Sequence, residues 1–145
     1  MLTGRAVLFG LGLLLAACGQ QEPASPPATE LQLVRPCRLV EGCRATGAPF
    51  PLRVFLGPGV TAMRPFPLRL EVGGGVTPET ASVDFSMKGM DMGLNRYLLQ
   101  RQGDEWRARV TLPVCGSGRS DWLADVVIAT AQGRYHLQIP FVLGE

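Results

Sequence analysis

The sequence predicts an all-β fold, an immunoglobulin-like antiparallel β-sandwich of about seven strands. The first observation is that apolar residues recur at every second position after residue 50, which is the period of a strand with one buried face. The second is that glycine-rich turn sequences separate these runs at intervals of about eight to twelve residues. The third is that no long 3.6-residue apolar period occurs in a chain with 12 prolines, which indicates few helices. A closed barrel of the same strands is the alternative.

Residues 1–17 are predicted to be the signal peptide of a bacterial lipoprotein. Arg5 precedes an uncharged apolar run of about a dozen residues, which is the length of a signal-peptide core and is too short to span a bilayer. The run ends in Leu-Ala-Ala-Cys-Gly at residues 15–19. This ending resembles the bacterial lipobox, in which cleavage precedes a cysteine that carries a diacylglycerol. The resemblance implies a mature chain that begins at a lipidated Cys18. An ordinary secretory cleavage and an uncleaved apolar anchor are the alternatives.

A lipid on Cys18 implies an oxidising compartment, with the protein anchored to a bacterial membrane and facing the periplasm. Gly19 stands where an aspartate commonly marks retention at the inner membrane, so the outer membrane is favoured. Residues 18–30 are polar and rich in proline and are expected to form a flexible tether, which leaves residues 31–145 for the β-sandwich domain. With 14 basic residues against 12 acidic ones and no basic run, the sequence does not indicate a nucleic-acid partner.

The main predicted strands are the alternating runs at residues 52–56, 68–72, 82–87, 106–112, 122–128 and 135–141. In the first of these, Arg53 and Phe55 are expected to face outward. A further strand over residues 97–101 is expected to form a short hairpin with the run at 105–112, through a turn at Gly103.

Three of the five methionines fall between Met87 and Met92. Met87 continues the inward alternation of the strand before it, so it is expected either to fill the core or to act as a metal ligand. Met90 and Met92 lie beside glycines in a loop at the end of that strand, where two thioethers can converge on one ion. Thioethers favour Cu(I) over harder divalent ions. The pattern therefore predicts a candidate Cu(I) site of Met90 and Met92, with Met87 as a further ligand.

The segment from Phe85 to Tyr97, followed by residues 103–106 and 112–122, resembles small periplasmic β-sandwich domains of the YtkA-like and FixH-like kind. The resemblance extends over roughly residues 50–142, and the methionines are its specific part. It implies a role in copper handling or cytochrome oxidase assembly, with a copper chaperone or an oxidase-assembly protein as partner. YtkA-like sequences commonly place a histidine beside the methionines, where this chain has Asp91 and Gly93.

Two further candidate ligands are His136, the only histidine, and Cys115. His136 is either a copper ligand or a half-exposed polar residue of the last strand. Cys37 and Cys43 flank a predicted tight hairpin, whose ends can reach the Cα separation of about 5.5 Å that a disulfide needs. If they pair, Cys115 stays a thiol that can ligate Cu(I), join a partner by a mixed disulfide or lie buried and inert. The alternative joins Cys115 to one of the other two.

Motifs typical of an enzyme are missing from the sequence, which contains no Ser-His-Asp order, phosphate loop or His-Glu-x-x-His pattern. The protein is therefore not expected to be an enzyme, and two binding functions remain. The first is a membrane-anchored periplasmic module that binds or transfers Cu(I). The second is a metal-free adaptor lipoprotein of an envelope complex.

Overall fold

Two β-sheets form the domain in the computed structural model, which describes residues 26–90 and 92–144. Cys18, the predicted signal peptide and residues 18–25 of the predicted tether lie outside the described residues. The strands are β1 (Thr29–Glu30), β2 (Gln32–Leu33), β3 (Cys43–Thr46), β4 (Leu52–Leu56), β5 (Phe66–Val72), β6 (Thr80–Ser86), β7 (Arg96–Leu98), β8 (Gln100–Gln102), β9 (Glu105–Val110), β10 (Asp121–Thr130) and β11 (Gly133–Val142). No helix occurs in the described part of the chain.

One sheet has the strand order β1-β11-β10-β6-β7, and the other has the order β2-β3-β4-β5-β9-β8. Neighbouring strands are antiparallel except for β1 and β11, which are parallel. The predicted antiparallel β-sandwich is confirmed, and the closed barrel is not observed. The six long strands match the six predicted runs, whereas β1, β2, β3, β7 and β8 have two to four residues each. β1, β2 and β3 are too short to show an alternation, and the single strand predicted over residues 97–101 corresponds to β7 and β8, so the expected number of strands is too low.

The core lies between the sheets and is built from the inward positions of their strands. Its largest fully buried side chains include Trp122, Phe66 and Phe85. Burial of one such large apolar side chain stabilises the fold by about 2–3 kcal/mol. The buried apolar residues of the described part all lie between Leu31 and Ile139. A fragment of residues 26–145 therefore contains the whole described core and is expected to fold without the preceding segment.

The predicted hairpin at Gly103 is confirmed, but the strand before it is divided between the two sheets. β7 pairs with β6 in one sheet, and β8 pairs with β9 in the other. Leu99 lies between β7 and β8, is buried, and donates its N–H to the Ala81 carbonyl at 2.9 Å. The prediction of one continuous strand over 97–101 is wrong because the chain crosses from sheet to sheet at this buried residue.

Phe55 faces outward, as predicted, but it is only 8% exposed. The Arg69 guanidinium carbon lies 3.8 Å from the centroid of the Phe55 ring, and that of Arg53 lies 5.0 Å away. Such cation–π contacts let long arginine side chains cover an aromatic ring on a solvent-facing sheet. Gly42 contacts the same ring, because a Cβ atom at this glycine would lie 2.3 Å from Phe55 Cε1.

A disulfide joins Cys37 to Cys43, with Cα atoms 5.2 Å apart, and this confirms the predicted pairing. Cys37 lies in the connection between β2 and β3, and Cys43 is the first residue of β3. The connection turns through a hydrogen bond from the Gly42 N–H to the Arg38 carbonyl at 3.1 Å. Cys115 is a free thiol.

Candidate functional site

The methionine loop, residues 87–95, begins directly after β6. Met87 and Met90 form an isolated antiparallel bridge, in which the Met90 N–H donates to the Met87 carbonyl at 3.1 Å. The turn between them contains Gly89 at φ +74°, a conformation that glycine adopts without the steric cost of a Cβ atom. This tight turn holds Met90 next to the end of β6.

The cysteine loop, residues 111–120, connects β9 to β10. Its first residue is held by Tyr97, whose hydroxyl donates to the Thr111 carbonyl at 2.6 Å and accepts from the Thr111 N–H at 3.2 Å. The Gly118 N–H donates to the Cys115 carbonyl at 3.0 Å and closes a tight turn. Because β6 and β10 are antiparallel neighbours, the end of β6 and the start of β10 lie at the same end of the sandwich. The topology thus brings the two loops together.

Sulfur atoms from the two loops meet at this end of the sandwich. Cys115 Sγ lies 3.7 Å from Met90 Sδ. Ser117 Oγ lies 3.0 Å from Cys115 Sγ and 4.0 Å from Met90 Sδ. Met90 and Cys115 are both half-buried and pack against the edge of the core, so each sulfur-bearing side chain is held on one side and reaches solvent on the other. Two soft donors 25 residues apart in sequence therefore share one small volume.

Arg119 joins the two loops mechanically. Its Nη1 donates to the Lys88 carbonyl in the methionine loop at 3.1 Å, and its Nε donates to Asp121 Oδ1 at 2.8 Å. The hydrogen bond to Asp121 raises the pKa of Arg119, and the same bond lowers the pKa of Asp121. The guanidinium is thus oriented by a carboxylate at the start of β10 while it holds the turn that carries Met90.

The surroundings of Cys115 favour its thiolate form. The pKa of Cys115 is lowered, chiefly by the side-chain hydrogen bond to Ser117, and further by backbone N–H groups and the positive charge of Arg119. Partial burial acts in the opposite direction and is outweighed. The thiolate is the form of cysteine that binds metal ions and attacks disulfides. The lowered pKa therefore makes Cys115 better suited to both reactions than an ordinary cysteine.

The other two methionines have different environments. Met87 is 2% exposed and belongs to the core, which is the first of its two expected roles. Met92 is half-buried on the methionine loop, and its carbonyl accepts a hydrogen bond from Asn95 Nδ2 at 2.9 Å. Met90 and Met92 thus both keep solvent access, and Met92 lies on the same loop as Met90.

His136 lies away from the methionines. It is on the outer face of β11, five residues before Phe141, which pairs with Trp122 near the start of β10. Five strand residues span about 17 Å. The ring is bound instead by carboxylates on both sides: Nδ1 lies 2.8 Å from Glu30 Oε2, and Nε2 lies 3.1 Å from Asp125 Oδ1.

The carboxylates also determine how His136 titrates. Burial lowers the pKa of His136, but the hydrogen bonds and negative charges of Glu30 and Asp125 outweigh it, so the net pKa is raised. Glu30 belongs to β1, which pairs with Tyr135 and His136 although residues 18–30 are predicted as tether. His136 therefore fastens the first ordered strand to the sheet and does not join the sulfur cluster.

Sequence reasoning missed Ser117 and Arg119 as members of the site. The glycines around Ser117 indicate only a turn, and an arginine two residues before an aspartate indicates only a local ion pair. The spacing of Cys115 and Ser117 is a usable signal, because side chains two residues apart in a tight loop can bond to each other.

Within residues 26–90 and 92–144, no group of three or more His, Cys, Asp or Glu side chains could hold a metal ion. Among the same residues no helix is long and apolar enough to cross a membrane. Comparison of the chain with protein-family models, curated proteins and solved structures found no match.

Proposed function

We propose that the protein is a lipid-anchored envelope module that binds Cu(I) and passes it to a partner. The observation that carries the proposal is the 3.7 Å separation of Met90 Sδ and Cys115 Sγ. Two sulfur ligands at about 2.3 Å from one ion, with a tetrahedral angle between them, are about 3.8 Å apart. The pair therefore has the spacing of two ligands of one ion.

The donor chemistry supports copper in its reduced state. A thiolate at Cys115 and a thioether at Met90 are soft ligands, which favour Cu(I) over hard ions such as Mg²⁺ and Ca²⁺. The lowered pKa of Cys115 keeps a larger fraction of the thiolate available near neutral pH. Met92 is half-buried on the methionine loop and is the proposed third ligand of the ion.

Transfer follows from the partial exposure of the site. An ion held by Met90 and Cys115 is accessible from the solvent side, where a partner's thiolate or imidazole can bind it before either sulfur dissociates. The neutral thioether is the weaker ligand and leaves first, and the Cys115 thiolate leaves second and takes up a proton. No electron is exchanged, and the ion moves as Cu(I) throughout.

Exposed apolar side chains provide a docking point beside the ligands. Leu94 on the methionine loop is 79% exposed and Val114 on the cysteine loop is 65% exposed. Large apolar side chains that border a site and remain in solvent are typical of protein contacts. The resemblance to YtkA-like and FixH-like domains suggests a copper chaperone or an oxidase-assembly protein as the partner. The same two side chains favour the second candidate function, a metal-free adaptor of an envelope complex.

An anaerobic Cu(I) titration of residues 26–145, with isotopic labels on the methionine methyl groups, separates the two functions. The methyl resonances of Met90 and Met92 are expected to shift and to saturate at about one equivalent of copper. Met63 is 65% exposed and lies outside both loops, although its N–H donates to the Leu112 carbonyl in the cysteine loop at 2.8 Å. Its resonance serves as an internal control and is expected to shift less than those of Met90 and Met92. An unchanged spectrum at stoichiometric copper contradicts metal binding and leaves the adaptor.

Matched variants test the ligands one at a time. Met90→Leu keeps the apolar volume and removes the thioether, and Cys115→Ser removes the thiolate, so both are expected to weaken Cu(I) binding at least about tenfold. Met63→Leu makes the same chemical change outside the site and is expected to have no effect. If the Met90→Leu and Met63→Leu variants bound Cu(I) with equal affinity, Met90 would not be a ligand.

A further inference from the structure

The outer face of the six-stranded sheet gathers arginines that are scattered in the sequence. The arginine face consists of the outward residues Arg44, Arg53, Arg69, Arg107 and Arg109, which come from β3, β4, β5 and β9. The acidic residues among the outward positions of these four strands are Glu71 and Glu105. Five arginines against two glutamates leave a surplus of three positive charges on one face, although the whole chain has a formal charge of only +2.

The register of the sheet places like charges opposite each other. Arg44 pairs with Arg53 across β3 and β4, and Arg69 pairs with Arg107 across β5 and β9. Cross-strand pairs of like charge destabilise a sheet. Glu105 offsets part of this repulsion by accepting hydrogen bonds from Arg69 and Arg107. Glu71 faces Arg53 across β4 and β5 without an ion pair to it, so Arg44 and Arg53 remain a like-charge pair with no bound carboxylate among the described residues. Departures from such local rules occur mostly at functional sites.

Three members of the face, Arg44, Arg53 and Arg109, form no ion pair with any residue of the described chain. Arg53 and Arg69 are held in place over the Phe55 ring, so part of the face is already ordered before a ligand arrives. The arrangement therefore offers oriented guanidinium groups, and three of its five arginines lack a carboxylate partner among the described residues.

A groove of about 800 Å³ runs along this face and combines charge with apolar borders. Arg69, Arg107 and Arg109 line it. Val40, which is 51% exposed, and Leu98, which is 73% exposed, lie at its borders. An anionic surface with hydrocarbon beneath it matches this combination, because phosphates pair with guanidinium groups while apolar side chains enter the layer below.

We propose that the arginine face docks on an anionic phospholipid surface and lays the domain against the membrane. The exposed apolar borders favour lipid over an acidic protein segment. The inference rests on the proposed envelope location, since a lipidated Cys18 and a short tether would keep the domain within reach of phospholipid headgroups. The opposite sheet presents Asp84 and Asp125 on its outer face and is suited to remain in water.

Co-sedimentation of residues 26–145 with vesicles tests the proposal without the lipid anchor and without copper. The fragment is expected to bind vesicles of phosphatidylcholine that contain about a quarter phosphatidylglycerol, and not to bind vesicles of pure phosphatidylcholine. The bound fragment is expected to dissociate as the salt concentration is raised. The test variants are Arg44→Gln and Arg109→Gln, which were chosen because neither arginine is paired with a carboxylate, so their removal leaves no carboxylate without its partner. Each substitution is expected to reduce binding about fivefold, and the pair about 25-fold.

The matched control is Arg64→Gln with Arg101→Gln, which removes the same charge outside the arginine face, breaks no ion pair of the described residues and is expected to retain binding. An equal loss in the control would assign binding to net charge and overturn the proposal. Equal binding to uncharged vesicles, or binding to polyglutamate without binding to anionic vesicles, would also overturn it. The Cu(I) titration of Arg44→Gln/Arg109→Gln is expected to match that of the unmodified fragment, so failure of this inference is distinguishable from failure of the copper site.

Discussion

Replacement of Gly42 by alanine is expected to lower the free energy of unfolding by about 2.5–5.5 kcal/mol. Gly42 has φ +94°, and an L-residue in the left-handed region costs about 1–2 kcal/mol. The new Cβ atom would lie 2.3 Å from Phe55 Cε1, so the ring must move. An off-rotamer side chain costs about 0.5–1.5 kcal/mol, and loss of the contacts with Arg53 and Arg69 costs about 0.5–1 kcal/mol each.

Gly59→Ala is the matched control for the steric part of this loss. Gly59 has φ +82°, and no heavy atom lies within 4 Å of a Cβ built on it. The Gly59→Ala variant is therefore expected to lose only the backbone contribution, about 1–2 kcal/mol of the free energy of unfolding. Urea unfolding of residues 26–145 with the disulfide intact measures both variants.

A double variant isolates the contact itself. Phe55→Leu shortens the side chain that the new Cβ atom would strike, so Gly42→Ala is expected to cost less in that background than in the unmodified chain. Equal losses for Gly42→Ala and Gly59→Ala, or strict additivity with Phe55→Leu, would refute the steric reasoning.

The remaining predictions concern titration and covalent linkage. Because the folded pKa of His136 is raised, its stabilising contribution is complete below the unfolded value of about 6.5 and is lost as pH rises through the folded pKa. His136→Gln is expected to remove that pH dependence from the free energy of unfolding. If stability depended on pH in the same way in this variant, the stabilising role of His136 between Glu30 and Asp125 would be contradicted. Ser117→Ala is expected to raise the pKa of Cys115 and to shift the pH profile of its alkylation upward, while an unmoved profile would exclude the hydrogen bond as the cause. Replacing Cys37 and Cys43 by alanine is expected to cost about 2 kcal/mol, as the short loop between residues six apart implies, and urea unfolding that shows no loss would contradict it.

Apolar alternation was sufficient to predict the six long strands, because a strand with one buried face requires a period of two. It could not predict the change of sheet at Leu99, since one buried residue between two three-residue strands leaves the alternation almost unchanged. Phe55 shows a second limit. Its burial depends on Arg69 from the neighbouring strand, and the pairing of strands is not visible in the local sequence.

The candidate site was likewise predictable only in part from the sequence. Residue chemistry alone identifies Met90 and Cys115 as soft donors. Their contact joins residues 25 apart in the sequence and depends on the pairing of β6 with β10. Outward arginines such as Arg107 are visible in the alternation of each strand. Their assembly into one face depends on the order of the strands in the sheet, so single strands do not reveal it.

X-ray absorption at the copper edge of the Cu(I)-loaded fragment tests the proposed sulfur site most directly. A first shell of sulfur atoms only is expected at about 2.3 Å, and this shell is expected to lose one scatterer in Cys115→Ser and one in Met90→Leu. A first shell of nitrogen or oxygen, or a shell that neither variant changes, would contradict the proposed site.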